Sequence, residues 1–399
     1  MNNHLIDIIK DAAKQSYERI LEIRRDLHKH PELSFQEINT SQRVKNFLKQ
    51  EGIDFTEGWA GYGIVASIKG LNPGPYMMLR ADMDALPIQE QNETPYKSVH
   101  NGVMHACGHD VHTSSLLGAA SILNKLKNHL NGEVKFVFQP GEEKLPGGAS
   151  LMIKEGLFQP NEPDFILGQH VYPSLQAGHV GFRQGLYMAS ADEIYIEIIG
   201  KGGHAATPHL CIDPIVIASR LIIGLQELIS RQVDPMTPAV LSFGKFNSDG
   251  GATNVIPDVV RLEGTLRAMD EQWRLKAHKW IQHFVDHTCK ASGATSITRI
   301  ETGYPNLKND EHITSMCREA SIEYLGVDRV HDLPQRMSSE DFAFYTQEVP
   351  GTFYRLGTGW QDSSKNYPVH SNKFDIDETA LETGMGLMAY LALAQSSKL

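Results

Sequence analysis

Two potential metal ligands lie close together in MHACGHDVH, residues 104–112. Cys107 and His109 are two positions apart, just before a predicted helix that begins at about Val111. A thiolate and an imidazole on one short loop can share a metal ion. Cysteine and histidine near a helix start are also common as capping and packing residues, so this motif alone leaves both interpretations open.

Two adjacent carboxylates end the motif QPGEE, residues 139–143, which follows an apolar, strand-like run over residues 134–138. In a site shielded from water, Glu142 and Glu143 would repel each other unless a cation compensated their charge. One of them could bind the cation while the other acted as a base. On its own, the pair is also typical of a solvated turn.

Two further histidines follow strand-like segments, His170 in LGQHV and His370 in YPVHSNKFD. A single histidine at a strand end is more often structural than a ligand. Together with the thiol and carboxylate motifs, however, these residues all fall at strand ends or strand-to-helix turns, where an α/β sheet collects its site residues. The set exceeds the three protein ligands of a mononuclear catalytic zinc site and favours two ions that share a bridge.

Two aspartates in LRADMDALP lie at another predicted strand end. At such a position the carboxylate of Asp82 or Asp84 could orient a ligating imidazole from behind. A simple turn explains the two residues equally well.

The segments that carry these motifs read as strands alternating with helices. This order predicts an α/β domain with a mainly parallel sheet flanked by helices, whose ligands lie beyond the carboxyl ends of the strands. From about Met188 the order changes to β-α-β-β-α-β, which is that of a ferredoxin-like α+β module. We therefore expect a catalytic domain in two parts, residues 1–187 and 304–399, interrupted by an inserted domain over residues 188–303.

The composition excludes several classes of function. The 399 residues carry a formal net charge of −11 and no long basic run, which argues against a nucleic-acid partner and against anionic membranes. No stretch is apolar enough to span a bilayer, and the N-terminal segment lacks the apolar core of a signal peptide. The four cysteines are widely spread and indicate no disulfide framework, so we expect a cytoplasmic protein.

Taken together, the motifs resemble those of the metal-dependent aminoacylase and carboxypeptidase family. They are most similar to the branch of hippurate hydrolase, auxin-conjugate amidohydrolase and N-acetyldiaminopimelate deacetylase. The resemblance extends in order over nearly the whole chain, through RRDLHKHPELSFQE, RADMDALPI, MHACGHDVH, QPGEE, GKGGHAATPH, NVIPD, GTLRAMD, SSEDFAFY and VHSNKFD.

The resemblance implies a zinc-peptidase-like catalytic domain and an inserted lid that also forms a homodimer interface. Its implied site residues are the metal ligands Cys107, His109, Glu143, His170 and His370, the general base Glu142, the supporting carboxylate Asp84, the lid histidine His204, and Asn254 and Arg267 as holders of the substrate carboxylate.

These roles predict hydrolysis of the amide bond of an N-acyl amino acid by two divalent ions, which would be Mn, Zn, Co or Ni. The ions would lower the pKa of a shared water, and Glu142 would take its proton. Three alternatives stay open: a metal-dependent dipeptidase or carboxypeptidase, a non-catalytic binding protein with the same fold, and a thiol hydrolase that uses Cys107 as its nucleophile.

Overall fold

The structure of the protein is a computed structural model that describes residues 2–396. The α-helices of this part are α1 Asn2–Lys29, α2 Ile38–Gln50, α3 His109–Lys125, α4 Gly148–Lys154, α5 Pro214–Glu227, α6 Glu271–Ala291, α7 Glu311–Leu325, α8 Ala343–Glu348 and α9 Ala380–Ser396. Among the described residues, no helix combines the length and apolar character needed to cross a bilayer.

The strands alternate with these helices along the chain. They are β1 Asp54–Trp59, β2 Gly63–Lys69, β3 Asn72–Asp82, β4 Asn131–Gln139, β5 Phe165–Gln176, β6 Val180–Phe182, β7 Gly185–Met188, β8 Asp192–Ile199, β9 Gly203–His204, β10 Ala239–Ser248, β11 Val255–Ile256, β12 Val259–Ala268, β13 Thr295–Thr302, β14 Leu307–Asn309, β15 Val330–Asp332 and β16 Gly351–Gly359.

The chain forms two compact units. The first contains the residues up to Gly185, the segment Lys308–Pro334 and the residues from Asp341 onward. The second contains Leu186–Leu307 together with Gln335–Glu340. The domain boundaries drawn from the sequence, at 187/188 and 303/304, stay a prediction, and that prediction did not include the short segment Gln335–Glu340.

The first unit is built on an eight-stranded sheet with the order β1-β2-β4-β3-β5-β16-β6-β15. Its four central strands, β4, β3, β5 and β16, run parallel to one another, and antiparallel pairing occurs only towards the edges. The predicted α/β class with a mainly parallel sheet is confirmed. Because parallel strands end at the same edge of a sheet, Asp82 and Asp84 at the end of β3 and QPGEE at the end of β4 are collected there. His170 was predicted at a strand end, but it lies within β5, which continues to Gln176 because its pairing with β16 extends beyond His170.

Helix α3 is the central helix of this unit. All of its residues from His109 to Leu123 are buried. Most of them are apolar or small, as expected for a helix that is enclosed on all sides. Gly118 allows α9 to approach closely, because a Cβ at that position would lie 2.8 Å from Cβ of Met385. This close packing of α3 against α9 helps to hold the N-terminal end of α3 at the sheet edge.

The second unit has a four-stranded antiparallel sheet with the order β10-β12-β8-β13. Along the chain its elements run β8, α5, β10, β12, α6 and β13, the predicted β-α-β-β-α-β order. Asp213 and Asp270 cap α5 and α6 by accepting backbone N–H groups with their side chains. The predicted ferredoxin-like α+β module is confirmed.

Candidate metal centre

Cys107 lies in the loop before α3, and His109 is the first residue of the helix, two residues earlier than the predicted start at about Val111. Gly108 between them has a φ of +81°, which favours glycine, and a Cβ there would lie 2.6 Å from Cγ2 of Val171. The backbone N–H of His370 donates to the carbonyl of Ala106 at 2.7 Å. This bond brings the loop that carries His370, near the C-terminal end of the chain, next to the turn formed by Cys107, Gly108 and His109.

Cys107 lies at the centre of a cluster of potential ligands. Its Sγ is 3.4 Å from Nε2 of His170 and 3.3 Å from Nε2 of His370. Nε2 of His370 is in turn 3.3 Å from Oε1 of Glu143. Cys107 and His170 are buried, whereas the His370 side chain is about half exposed. Four side chains from four separate segments therefore meet at one point.

His109 faces the two carboxylates of QPGEE. Its Nε2 is 3.9 Å from Oε2 of Glu142 and 3.9 Å from Oε1 of Glu143. This nitrogen is buried and has no hydrogen-bond partner within the described residues, which is costly unless another group binds it.

Among the described residues, donor atoms form five groups, each with all its atoms within 4.8 Å of one another, and three of these overlap and contain two or more of the predicted ligands: Cys107, His109 and His170; Cys107, Glu143 and His370; His109, Glu142 and Glu143. Thiolate, imidazole and carboxylate donors suit divalent transition metals. Because Cys107 and Glu143 each belong to two groups, and His109 keeps an unpaired buried nitrogen, the arrangement fits two neighbouring cations.

Asp84 orients both His109 and Glu143. Its Oδ1 is 3.2 Å from Nδ1 of His109, and its Oδ2 accepts from the Ser34 hydroxyl at 2.6 Å and from the Glu143 backbone N–H at 2.9 Å. Burial alone would raise the pKa of Asp84, but the hydrogen bond and charge of His109 hold it below its ordinary value. Asp84 can thus act as a carboxylate that directs Nε2 of His109 to the centre.

Asp82 has a different environment. Its Oδ1 lies 2.6 Å from Nδ1 of His112, and its Oδ2 accepts from Nη1 of Arg80 at 2.7 Å. Arg80 also donates to Gln139 and to Asp341, both at buried positions. Asp82 also forms a donor group with His109 and His112, and its Oδ2 lies 3.7 Å from Nε2 of His109, but both of its oxygens already accept hydrogen bonds within this buried network.

The thiol-hydrolase alternative is disfavoured by the surroundings of Cys107. Burial raises the pKa of its thiol well above the ordinary value, and the carboxylates of Glu143 and Glu142 raise it further. Without a cation beside it, the thiol is therefore held in its protonated form, which is a poor nucleophile.

The remaining predicted residues lie in the second unit. His204 on β9 pairs with Val255 on β11, and the Ala205 N–H donates to the carbonyl of Asn254 at 2.9 Å, so His204 and Asn254 are neighbours. Nδ1 of His204 accepts from the Ala206 N–H at 3.0 Å. Its Nε2 therefore carries the proton of the neutral ring and can donate.

Arg267 on β12 donates to the Ser339 hydroxyl at 2.6 Å. Its alternation along the strand is as expected from the sequence, because Leu262 and Leu266 are fully buried while Arg261 is exposed. Among the described residues it forms no salt bridge with a carboxylate. The roles of His204, Asn254 and Arg267 stay predictions.

Several supporting residues were missed by sequence reasoning. Glu37 accepts the Gly141 N–H at 2.8 Å, and Arg24 donates to Asp110, beside His109, at 2.8 Å. Both belong to the motif RRDLHKHPELSFQE, and His112 ends MHACGHDVH. The presence of these residues in the recognised motifs was the available signal, but the sequence did not indicate which residues they contact.

Comparison with known proteins agrees with this geometry. The sequence profile of peptidase family M20/M25/M40 matches residues 78–394. N-acetyl-L-cysteine deacetylase of Bacillus subtilis is 42% identical over 367 residues, which cover 91% of this chain and 85% of that protein. The chain belongs to the M20/M25/M40 family. Membership confirms the resemblance and the metal-dependent amidohydrolase predicted from the motifs.

Two further members span almost the whole chain. Thermostable carboxypeptidase 1 of Saccharolobus solfataricus is 37% identical over 397 residues, which cover 99% of this chain and 100% of that protein. The crystal structure of a dinuclear metal-binding M20 peptidase from Bacillus subtilis superposes with a TM-score of 0.82 at 34% identity, covering 97% of this chain and 100% of that one. With the overlapping donor groups, this relative supports two metal ions in this M20 protein.

Proposed function

We propose that this M20 protein hydrolyses the amide bond of N-acyl amino acids at a dinuclear centre held by Cys107, His109, Glu143, His170 and His370. The observation that carries the proposal is the convergence of these donors in overlapping groups, with a further carboxylate, Glu142, 3.9 Å from Nε2 of His109. When bound, the two cations would supply Lewis acidity to the acyl carbonyl and make water acidic enough to ionise near neutral pH.

Glu142 is the general base of this proposal. Its carboxylate lies beside the donor cluster and is largely buried, with Oε1 3.4 Å from the Asp341 N–H. It would take the proton of the attacking water and return it to the leaving nitrogen. A protein that only sequestered metal would need ligands but no such base, which argues against a non-catalytic binding role.

His204 and Arg267 would act on the substrate from the second unit. The proton on Nε2 of His204 makes this nitrogen a donor for the acyl oxygen as negative charge grows on it. Arg267, which has only a neutral hydroxyl as its side-chain partner among the described residues, could hold the free carboxylate of the amino acid with help from Asn254.

The metal is proposed to be Mn, Zn, Co or Ni. The thiolate of Cys107 and the three imidazoles favour these ions over Mg or Ca, which are bound almost entirely by oxygen ligands. A homodimer formed through the second unit is also proposed. A cytoplasmic location fits the four cysteines, which are all free.

A carboxypeptidase is the second candidate, and a relative named thermostable carboxypeptidase 1 supports it. The chemistry at the centre would be identical, so the two functions differ only in the acyl side of the substrate. Initial rates on N-acetyl, N-benzoyl and indole-acetyl amino acids should be compared with those on dipeptides of the same C-terminal residue. N-acyl amino acids should have the higher kcat/KM, and a consistent preference for dipeptides would favour the carboxypeptidase.

A further inference from the structure

Strands β3 and β5 separate at the edge where the donors meet. Their parallel pairing runs from Met77 and Phe165 to Arg80 and Gly168 and does not continue. Strand β5 goes on to Gln176, so the side of it that faces β3 loses its partner strand just before His170. Backbone N–H groups freed in this way inside a protein need another acceptor.

His112 on α3 occupies this gap. The backbone N–H of Val171 donates to Nε2 of His112 at 2.9 Å, and Nδ1 of His112 is 2.6 Å from Oδ1 of Asp82, the last residue of β3. Because an amide N–H can only donate, Nε2 of His112 is unprotonated and the ring proton lies on Nδ1, towards Asp82. The imidazole thus replaces the missing strand-to-strand bond.

Val171 is held on its other sides as well. Its carbonyl oxygen lies 2.8 Å from Nδ1 of His170, and its side chain occupies the space that Gly108 leaves between Cys107 and His109. A carbonyl oxygen can only accept, so Nδ1 of His170 carries a proton. Nε2 of His170 is left with a lone pair, and it faces Sγ of Cys107 at 3.4 Å.

We propose that His112 is a positioning residue for His170, which it holds in place through the Val171 peptide group. The proposal rests on the proposed role of His170 as a metal ligand. The His112 ring is fully buried, and Asp82 is anchored in turn by Arg80 at 2.7 Å. Rotating the ring would leave a buried carboxylate oxygen and a buried N–H without partners, so the arrangement has one low-energy state.

A matched pair of substitutions tests this role. His112→Met removes both hydrogen bonds, whereas His112→Gln has nearly the same size and can still accept from Val171 while donating to Asp82. Thr113→Val is the control for destabilisation, because it removes a bond from the same turn of α3 to the Asp82 carbonyl and does not touch Val171. His170→Ala is the reference for loss of the ligand itself.

The metal-free full-length chain is titrated with Zn²⁺ or Co²⁺ in competition with a chelating dye, which gives the affinity for each ion. The visible spectrum of the Co²⁺ form and the Tm without metal are also recorded. We expect His112→Met to weaken at least one ion on the order of 10- to 100-fold and to alter the spectrum. His112→Gln should recover most of the affinity, and Thr113→Val should lower Tm with wild-type metal binding.

The inference is overturned if His112→Met binds both ions like the wild type while His170→Ala loses one. It is also overturned if Thr113→Val weakens the ions equally. If His170→Ala keeps both ions, the ligand assignment in the proposed function fails instead. Should His112→Met not fold, nitrogen NMR of wild-type His112 decides, because a protonated Nε2 would contradict the bond to Val171.

Discussion

At the scale of single residues, Glu142 and Glu143 differ in their contacts although they are neighbours in the chain. The Glu143 backbone is fixed by Asp84 at 2.9 Å, and its carboxylate is 3.3 Å from His370 Nε2. Glu142 instead meets the Asp341 N–H at 3.4 Å. This difference in position supports a ligand role for Glu143 and a base role for Glu142.

Glu142→Gln should therefore lower kcat by about 10²- to 10⁴-fold while retaining both ions, since it removes the base and keeps the size of the side chain. Glu143→Gln should lose at least one ion. Metal content after gel filtration and kcat on an N-acetyl amino acid check both variants. Equal metal content together with equal activity would show that the two roles are wrongly assigned.

Arg267 controls substrate choice if it holds a carboxylate. The wild type should then hydrolyse an N-acyl amino acid far better than its amide, and Arg267→Ala should lose on the order of 2–4 kcal/mol of transition-state binding for the acid only. Arg261→Ala is the matched control, because Arg261 lies on the same face of β12 and is already paired with Glu197 at 2.7 Å. Equal kcat/KM for acid and amide in the wild type would contradict the proposal that Arg267 holds the substrate carboxylate.

At the scale of elements, the segment between α1 and α2 supports the QPGEE turn. Glu37 accepts the Gly141 N–H with one oxygen, while its other oxygen is buried and has no hydrogen-bond partner in the part of the chain that the structure describes. The Phe35 ring packs against Gly141, where a Cβ would lie 2.4 Å from the ring. Burial and the nearby charge of Asp84 raise the pKa of Glu37 to about 8.

This raised pKa predicts a pH-dependent stability. Between the ordinary value of 4.5 and about 8, Glu37 is ionised in the unfolded chain but protonated in the folded one, so the wild type loses stability as pH rises through this range. Glu37→Gln has no proton to lose. Its stability relative to wild type should grow by roughly 2–4 kcal/mol between pH 5 and pH 8 and then level off.

Tm of the metal-free protein, measured from about pH 5 to pH 9, gives this comparison. Glu162→Gln is a control, since Glu162 is exposed in the loop before β5. If the difference in Tm between Glu37→Gln and the wild type does not change with pH, or shrinks as pH rises, Glu37 is not held protonated in the folded protein.

The elements themselves could be predicted from the sequence because their signals are local. The apolar run of β4 placed QPGEE at a strand end, as observed, whereas His170 was wrongly predicted at a strand end and lies within β5, which continues to Gln176. The supporting contacts could not be predicted in this way. The bond between Glu37 and Gly141 joins residues 104 positions apart, and the link from His112 to Val171 depends on where β3 and β5 separate. Such contacts are set by tertiary packing.

At the scale of the whole molecule, the proposed homodimer needs an exposed apolar surface on the second unit. Strand β10 is an edge strand with Phe246 41% exposed, and α5, which packs beside it, has Val216 55% and Ile223 73% exposed. An exposed apolar helix beside an unpaired edge strand would suit the proposed homodimer.

Ile223→Glu combined with Phe246→Glu should therefore convert a dimer into a monomer, because it places charge on this surface. Ile297→Glu should not, since Ile297 is 59% exposed on β13, the opposite edge of the sheet. Light scattering at micromolar concentration measures the molecular mass of the wild type and of both variants. A wild type that is monomeric throughout, or a control that dissociates equally, would rule out this interface.

The central claim is that two metal ions held by this chain are required for amide hydrolysis. Its most direct test removes the metal with a chelator, then adds Mn, Zn, Co or Ni stepwise while turnover of an N-acetyl amino acid and bound metal are recorded on the same sample. The metal-free protein should be inactive, and activity should rise to a plateau near two bound ions per chain. Full activity in a verified metal-free sample would contradict the claim.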